Sequence, residues 1–139
     1  LEDNTHPRAV KSESEARVVR EADGVHIYMS SIRSHFAPDN IEGIKQGETV
    51  WFHVTNLEQD WDTPHGFAMM GANNAELLIM PGSTRTLKWV ANKVGVFPFY
   101  CSDFCSALHQ EMQGYIRVSP VGANVPLTAS LGGRSFDAK

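Results

Sequence analysis

The chain has 139 residues, of which 42% are apolar, 20% charged and 9% aromatic, and a formal net charge of -4. That is room for one domain with one sizeable core, and it is too apolar for a wholly disordered chain. The acidic balance argues against nucleic acid or anionic lipid as a partner, and the longest strongly apolar runs, five or six residues, fall far short of the roughly 20 that span a bilayer.

Residues 1–16 mix charge signs without apolar periodicity, and Pro7 interrupts any helix, so they read as a linker or docking arm. Leu1 opens with neither Met nor a basic-then-apolar leader, as expected of a mature or excised piece. Residues 17–20 and 24–32 are strand-like; in the latter Val25, Ile27 and Met29 alternate with His26, Tyr28 and Ser30. Gly43 to Glu48 reads as a turn into residues 49–56, where Val50, Phe52 and Val54 share one face. The polar stretch 57–64 carries Glu58, Asp60 and Asp62, and Pro64 fixes the backbone entering His65, at a loop-to-strand boundary.

Segments 75–79, 84–90, 95–100 and 114–118 complete some eight short strands with Pro and Gly turns, predicting an all-β sandwich or barrel over residues 17–120. One helical turn is expected over Ser106 to Gln113, and residues 121–139 read as a flexible tail. His26, His35 and His53 read as surface or structural, with His6 in the arm.

The two cysteines carry most of the chemical information. Tyr100 to Met112 reads YCSDFCSALHQEM, placing Cys101, Cys105, His109 and Met112 within one short loop. Two thiolates, an imidazole and a thioether form a soft donor set suited to copper; methionine rarely serves zinc, and the spacing does not match C-x-x-C-H haem attachment. A mononuclear blue-copper site needs one cysteine, so the second allows a thiolate bridge to a second metal, while a local disulfide or two buried thiols are the bland alternatives.

The loop resembles the binuclear copper A (CuA) loop of haem-copper oxidase subunit II and of the C-terminal domain of nitrous oxide reductases, and it is more similar to the reductase loop. The likeness extends to Gly114 and to His65-Gly66-Phe67 upstream, and covers roughly residues 24–120. It implies a cupredoxin-like Greek-key β-sandwich holding two copper ions as a mixed-valence centre. By that resemblance Cys101 and Cys105 bridge the coppers, His65 and Met112 complete one, and His109 with the Asp103 carbonyl completes the other.

The best-known reductases that this loop resembles carry Trp where Asp103 stands, and the oxidases carry Glu, which leaves a carbonyl ligand intact but alters the surface. Trp61, Asp60, Asp62 and Asp103 are the expected electron-inlet surface. The family further implies a periplasmic setting, a cytochrome c or small cupredoxin as donor, and a β-propeller domain whose copper-sulfide cluster reduces N2O to N2. The parent would be a homodimer, and the isolated domain is compatible with a monomer. No catalytic residue is expected in the chain itself. The competing readings are the CuA domain of oxidase subunit II, and a copper chaperone or thiol redox protein built on C-x3-C, which would need a helix-rich thioredoxin-like fold.

Overall fold

The computed structural model describes residues 7–32, 35–59, 64–69, 76–101 and 112–139. After one 3-10 turn at Glu13–Glu15 the described residues form strands only: β1 Arg17–Glu21, β2 Gly24–Ile32, β3 His35–Ala37, β4 Asn40–Lys45, β5 Thr49–Asn56, β6 His65–Met69, β7 Glu76–Ile79, β8 Thr84–Val90, β9 Gly95–Tyr100, β10 Gln113–Ser119, β11 Thr128–Leu131 and β12 Arg134–Ala138. The expected helical turn at 106–113 falls outside them except for its last two residues, Met112 and Gln113, of which Gln113 opens β10. No helix among the described residues is long and apolar enough to cross a membrane.

The strands pair in the order β7-β6-β9-β10-β4-β11-β12-β1-β2-β5-β8, with β3 on β2. The pairs β2 with β5, β4 with β10 and β1 with β12 are parallel and the rest antiparallel. Sequence neighbours are therefore often not spatial neighbours, and the sheet curls into a barrel-like sandwich with one core. The alternation read in β2 and β5 is realised: Val25, Ile27, Met29, Val50, Phe52 and Val54 are fully buried. They meet Phe67, Phe99, Ile41 and Ile116 from the opposite layer within one cluster. Each such side chain contributes roughly 1.5–3 kcal/mol of burial.

Two expectations are corrected. Gly43 lies within β4 rather than opening a turn; its φ is +97°, and a Cβ there would collide with the backbone of Pro126 and Leu127. Residues 128–138 are not a loose tail but the hairpin β11–β12, in which Ala129 pairs with Ile41 and Asp137 with Arg17. The hairpin links β4 to β1, and Gly43 leaves the space that its approach requires. The arm is also packed where it is described: Val10 and Ala16 are buried, and Arg8 forms a bidentate pair with Glu21 at 2.6 and 3.1 Å.

A part-buried ion pair ties β1 to the turn before β5. Arg20 donates from Nε to Glu48 Oε2 at 2.8 Å and from Nη2 to Glu48 Oε1 at 2.9 Å, and the Lys45 N–H donates to the same carboxylate. Burial pushes the Glu48 carboxyl up, but Arg20 and the Lys45 N–H together hold it below the ordinary glutamate range. A native value below the unfolded one adds stability at neutral pH that fades as the pH falls through the native value. Glu48→Gln should therefore lower unfolding free energy by about 1 kcal/mol at pH 7, and the difference from wild type should shrink as the pH falls below the ordinary glutamate range. Urea titrations at neutral and acid pH check this.

Candidate metal centre

The hairpin β9–β10 holds the loop predicted to bind metal. Tyr100 pairs with Gln113, and just beyond that pair the Cys101 N–H donates to the Met112 carbonyl at 3.0 Å. The backbone is thus clamped where the loop leaves and where it returns. Gly114 makes the clamp possible, because a Cβ there would lie 2.5 Å from both the Asp39 carbonyl oxygen and the Phe99 ring. The Tyr115 N–H, next in line, donates to that same carbonyl at 2.9 Å.

The third contributor arrives through sheet register. Ala68 pairs with Tyr100 and Met69 with Phe99, so β6 runs antiparallel to β9. The start of β6, His65, therefore lies at the same end of the sheet as Cys101, which follows β9, and Met112, which precedes β10. Residues 36 positions apart in sequence are brought to one edge. His65 and Met112 are fully buried and Cys101 is 4% exposed.

Beneath them Phe36, Phe52, Phe67 and Phe99 form a continuous aromatic box with ring centroids 5.2–5.8 Å apart. Met69 lies in the same core. This floor is apolar and close-packed, which limits water access and fixes the strand ends above it.

His65 is oriented by a residue that the loop motif does not contain. Its Nε2–H donates to Glu58 Oε2 at 2.9 Å, and Glu58 is positioned by its own N–H donating to Asn56 Oδ1 at 2.8 Å. Asn56, fully buried at the end of β5, also donates from Nδ2 to the Ile79 carbonyl. A carboxylate on Nε2 sets the tautomer and makes Nδ1 the nitrogen through which His65 would ligate a metal. A carboxylate seven residues before a candidate ligand was the available signal, but only the bend after β5 turns it toward the ring.

Asp103, Cys105 and His109 of the expected ligand set, and Trp61, Asp60 and Asp62 of the expected inlet, lie outside the described residues. The Cys101 sulfur is disulfide-bonded, so it becomes a metal ligand only after reduction. Imidazole, thiol sulfur and thioether at one buried, apolar edge are the donor types that copper favours, and in that respect the residues fit. Among the described residues Glu21, Asp23 and His26 also approach one another, but Glu21 is taken up by Arg8.

No family model matches the chain. It is 34% identical over 111 residues to the nitrous-oxide reductase of Stutzerimonas stutzeri, covering 80% of this chain and 17% of that protein. With the nitrous-oxide reductase of Cupriavidus necator it shares 36% over 107 residues, covering 77% and 16%. It is 31% identical over 93 residues to cytochrome c oxidase subunit 2 of Thermus thermophilus, covering 66% and 64%.

The chain is a homologue of nitrous-oxide reductases and of cytochrome c oxidase subunit 2. It spans about one sixth of the length of the reductases it matches. The periplasmic domain of cytochrome oxidase subunit II from Bradyrhizobium japonicum superposes with a TM-score of 0.55 at 17% identity, covering 80% of this chain and 88% of that one. A chain of a heme-copper terminal oxidase dimer gives 0.57 at 22% identity, covering 86% and 74%. The fold is accordingly the cupredoxin-like Greek-key sandwich expected from the loop, and the α/β architecture that a thioredoxin-like chaperone requires is not what the described residues form.

Because Glu58 orients His65, Glu58→Gln should keep the fold but weaken metal binding about tenfold or more. Copper titration of the reduced protein against a competing chelator measures it; unchanged affinity would show that the carboxylate does not support the ligand.

Proposed function

We propose that the chain is the CuA electron-transfer domain of a nitrous-oxide reductase. It takes electrons singly from a cytochrome c or small cupredoxin and passes them to the copper-sulfide cluster of a β-propeller domain in the parent enzyme. There N2O, two electrons and two protons give N2 and water. The observation that carries this reading is the convergence of Cys101, Met112 and His65 at one buried sheet edge, in a chain homologous to those reductases. Two copper ions held here would supply a redox centre that shares one electron between both metals.

The protein's own part is to hold donors still. In this reading Cys101 and Cys105 are the bridging thiolates, His65 and Met112 complete one side, and His109 with the Asp103 carbonyl completes the other. The clamp from Cys101 to Met112, the Glu58 carboxylate on His65 and the phenylalanine floor each restrict ligand movement. Limited movement lowers the reorganisation that accompanies each electron. Asp60, Asp62, Trp61 and Asp103 form the proposed inlet, where acids would steer a basic donor. The setting is periplasmic, and the domain alone turns over no gas.

The CuA domain of an oxidase subunit II is the second reading, favoured by the larger share of the Thermus thermophilus protein that the chain covers. Both readings require the thiolate bridge, so Cys101→Ser and Cys105→Ser should each abolish a mixed-valence copper spectrum. An unchanged spectrum in either variant removes the bridging assignment. Asp103→Ala should retain two coppers and shift the potential. The double change Asp60→Asn with Asp62→Asn should slow reduction by a basic cytochrome c about tenfold at low salt, with copper content intact. A rate independent of both the substitution and ionic strength would remove the inlet assignment.

A further inference from the structure

On the layer opposite the candidate metal edge, two histidines outside the copper chemistry are in direct contact. His26 on β2 and His53 on β5 are both buried, with His26 Nδ1 and His53 Nε2 2.8 Å apart and their rings 7° from coplanar. At one end His26 Nε2 meets Asp23 Oδ1 at 2.7 Å; at the other His53 Nδ1 meets Thr86 Oγ1 at 2.8 Å. The carboxylate fixes the direction of the chain. His26 Nε2–H donates to Asp23, His53 Nε2–H donates to His26 Nδ1, and the Thr86 hydroxyl donates to His53 Nδ1. Both imidazoles are then neutral and each ring nitrogen has a role. Asp23 is held below the ordinary aspartate range, chiefly by its hydrogen bond with His26.

This arrangement accepts one added proton without rearrangement. A proton on His53 Nδ1 turns Thr86 from donor to acceptor and leaves the contact between the rings intact. A second proton has no place, since it would put hydrogens on both nitrogens of the 2.8 Å contact. The surrounding charges act the same way. Arg8 from the arm, Arg17 from β1 and Lys88 from β8 flank the aromatic layer, against Glu21 from β1 and Asp23 from the turn; Tyr28 and Trp51 complete it. One imidazolium is offset by the acids, and a second adds to the cations.

The layer also carries Arg8 of the N-terminal arm, whose Glu13 is tied elsewhere, to His35 at 3.1 Å and to Arg134 at 3.3 Å. The His53 ring stacks on that of Tyr28 at 4.8 Å, and Arg8 and Arg17 lie over Tyr28 at 5.0 and 4.4 Å from its centroid. Glu21, the partner of Arg8, is also 3.9 Å from His26 Nε2. Parting the two imidazoles disturbs the ring under Arg8, and a second positive charge competes with Arg8 for Glu21. Both effects loosen the arm at the same residue.

We infer that the His26–His53 pair is an acid-sensitive latch: it holds residues 7–16 against the sandwich while it carries one added proton or none, and releases them when both imidazoles become charged. The sign follows from proton counting. The latched pair takes up at most one proton and the released histidines take up two, so docking weakens as the pH falls.

The test is nuclear magnetic resonance of the metal-free 139-residue chain, following the imidazole nitrogens of His26 and His53 together with the methyl signals of Val10, which is 3% exposed when docked. As pH is lowered, a single imidazolium should appear while Val10 stays docked, and the second should appear together with loss of the docked signals. Two imidazoliums with Val10 still docked would overturn the latch, as would undocking while His26 and His53 share one proton. In His53→Gln, whose amide can still donate to His26 and accept from Thr86, undocking should require at least about tenfold more acid. An unchanged midpoint would assign the release to the arm's own ties, the Glu13–His35 contact among them, and remove the pair from it.

Discussion

The candidate site depends on the closure of β9 on β10. The bond from the Cys101 N–H to the Met112 carbonyl fixes the separation of the loop ends, and Gly114 lets that closure sit directly on Phe99 and the Asp39 backbone. A loop carrying several soft donors is of little use for electron transfer if its ends can drift. Here backbone pairing at Cys101 and Met112 holds the two ends of the loop. The antiparallel register of β6 with β9 then delivers His65 to the same edge without a loop of its own.

Below that edge the molecule divides its polar and apolar work between layers. The side nearest the loop rests on four phenylalanines, where an unpaired charge would be expensive and a small, delocalised one less so. Among the described residues the polar groups there are directed: Asn56 fixes Glu58, and Glu58 fixes His65. The outer face of β2 and β5 instead carries a hydrogen-bonded aromatic layer, covered in part by the arm. Two unrelated clusters of histidine chemistry thus occupy opposite sides of one core.

Much of this was legible in the sequence where the signal was local. Alternation in β2 and β5 marked strands and their inward faces, and the spacing of Cys101, Cys105, His109 and Met112 marked a loop with copper-like donors before any fold was known. What escaped was set by non-local pairing. Strand β4 is disguised by Gly43, which is there because Pro126 and Leu127 pass close by. The hairpin β11–β12 looked like a tail because its partners, Ile41 and Arg17, lie about a hundred residues away or nearly so. Glu58 and the His26–His53 contact were hidden for the same reason: a bend after β5 creates one, and the parallel pairing of β2 with β5 creates the other.

The proposed pair of coppers bridged by two cysteines is tested by reducing the protein, loading it with copper, and measuring metal content and the electron paramagnetic resonance spectrum of the same sample. Two coppers per chain and a seven-line hyperfine pattern from one unpaired electron shared by both nuclei are expected. One copper per chain with a four-line pattern would contradict the proposed pair.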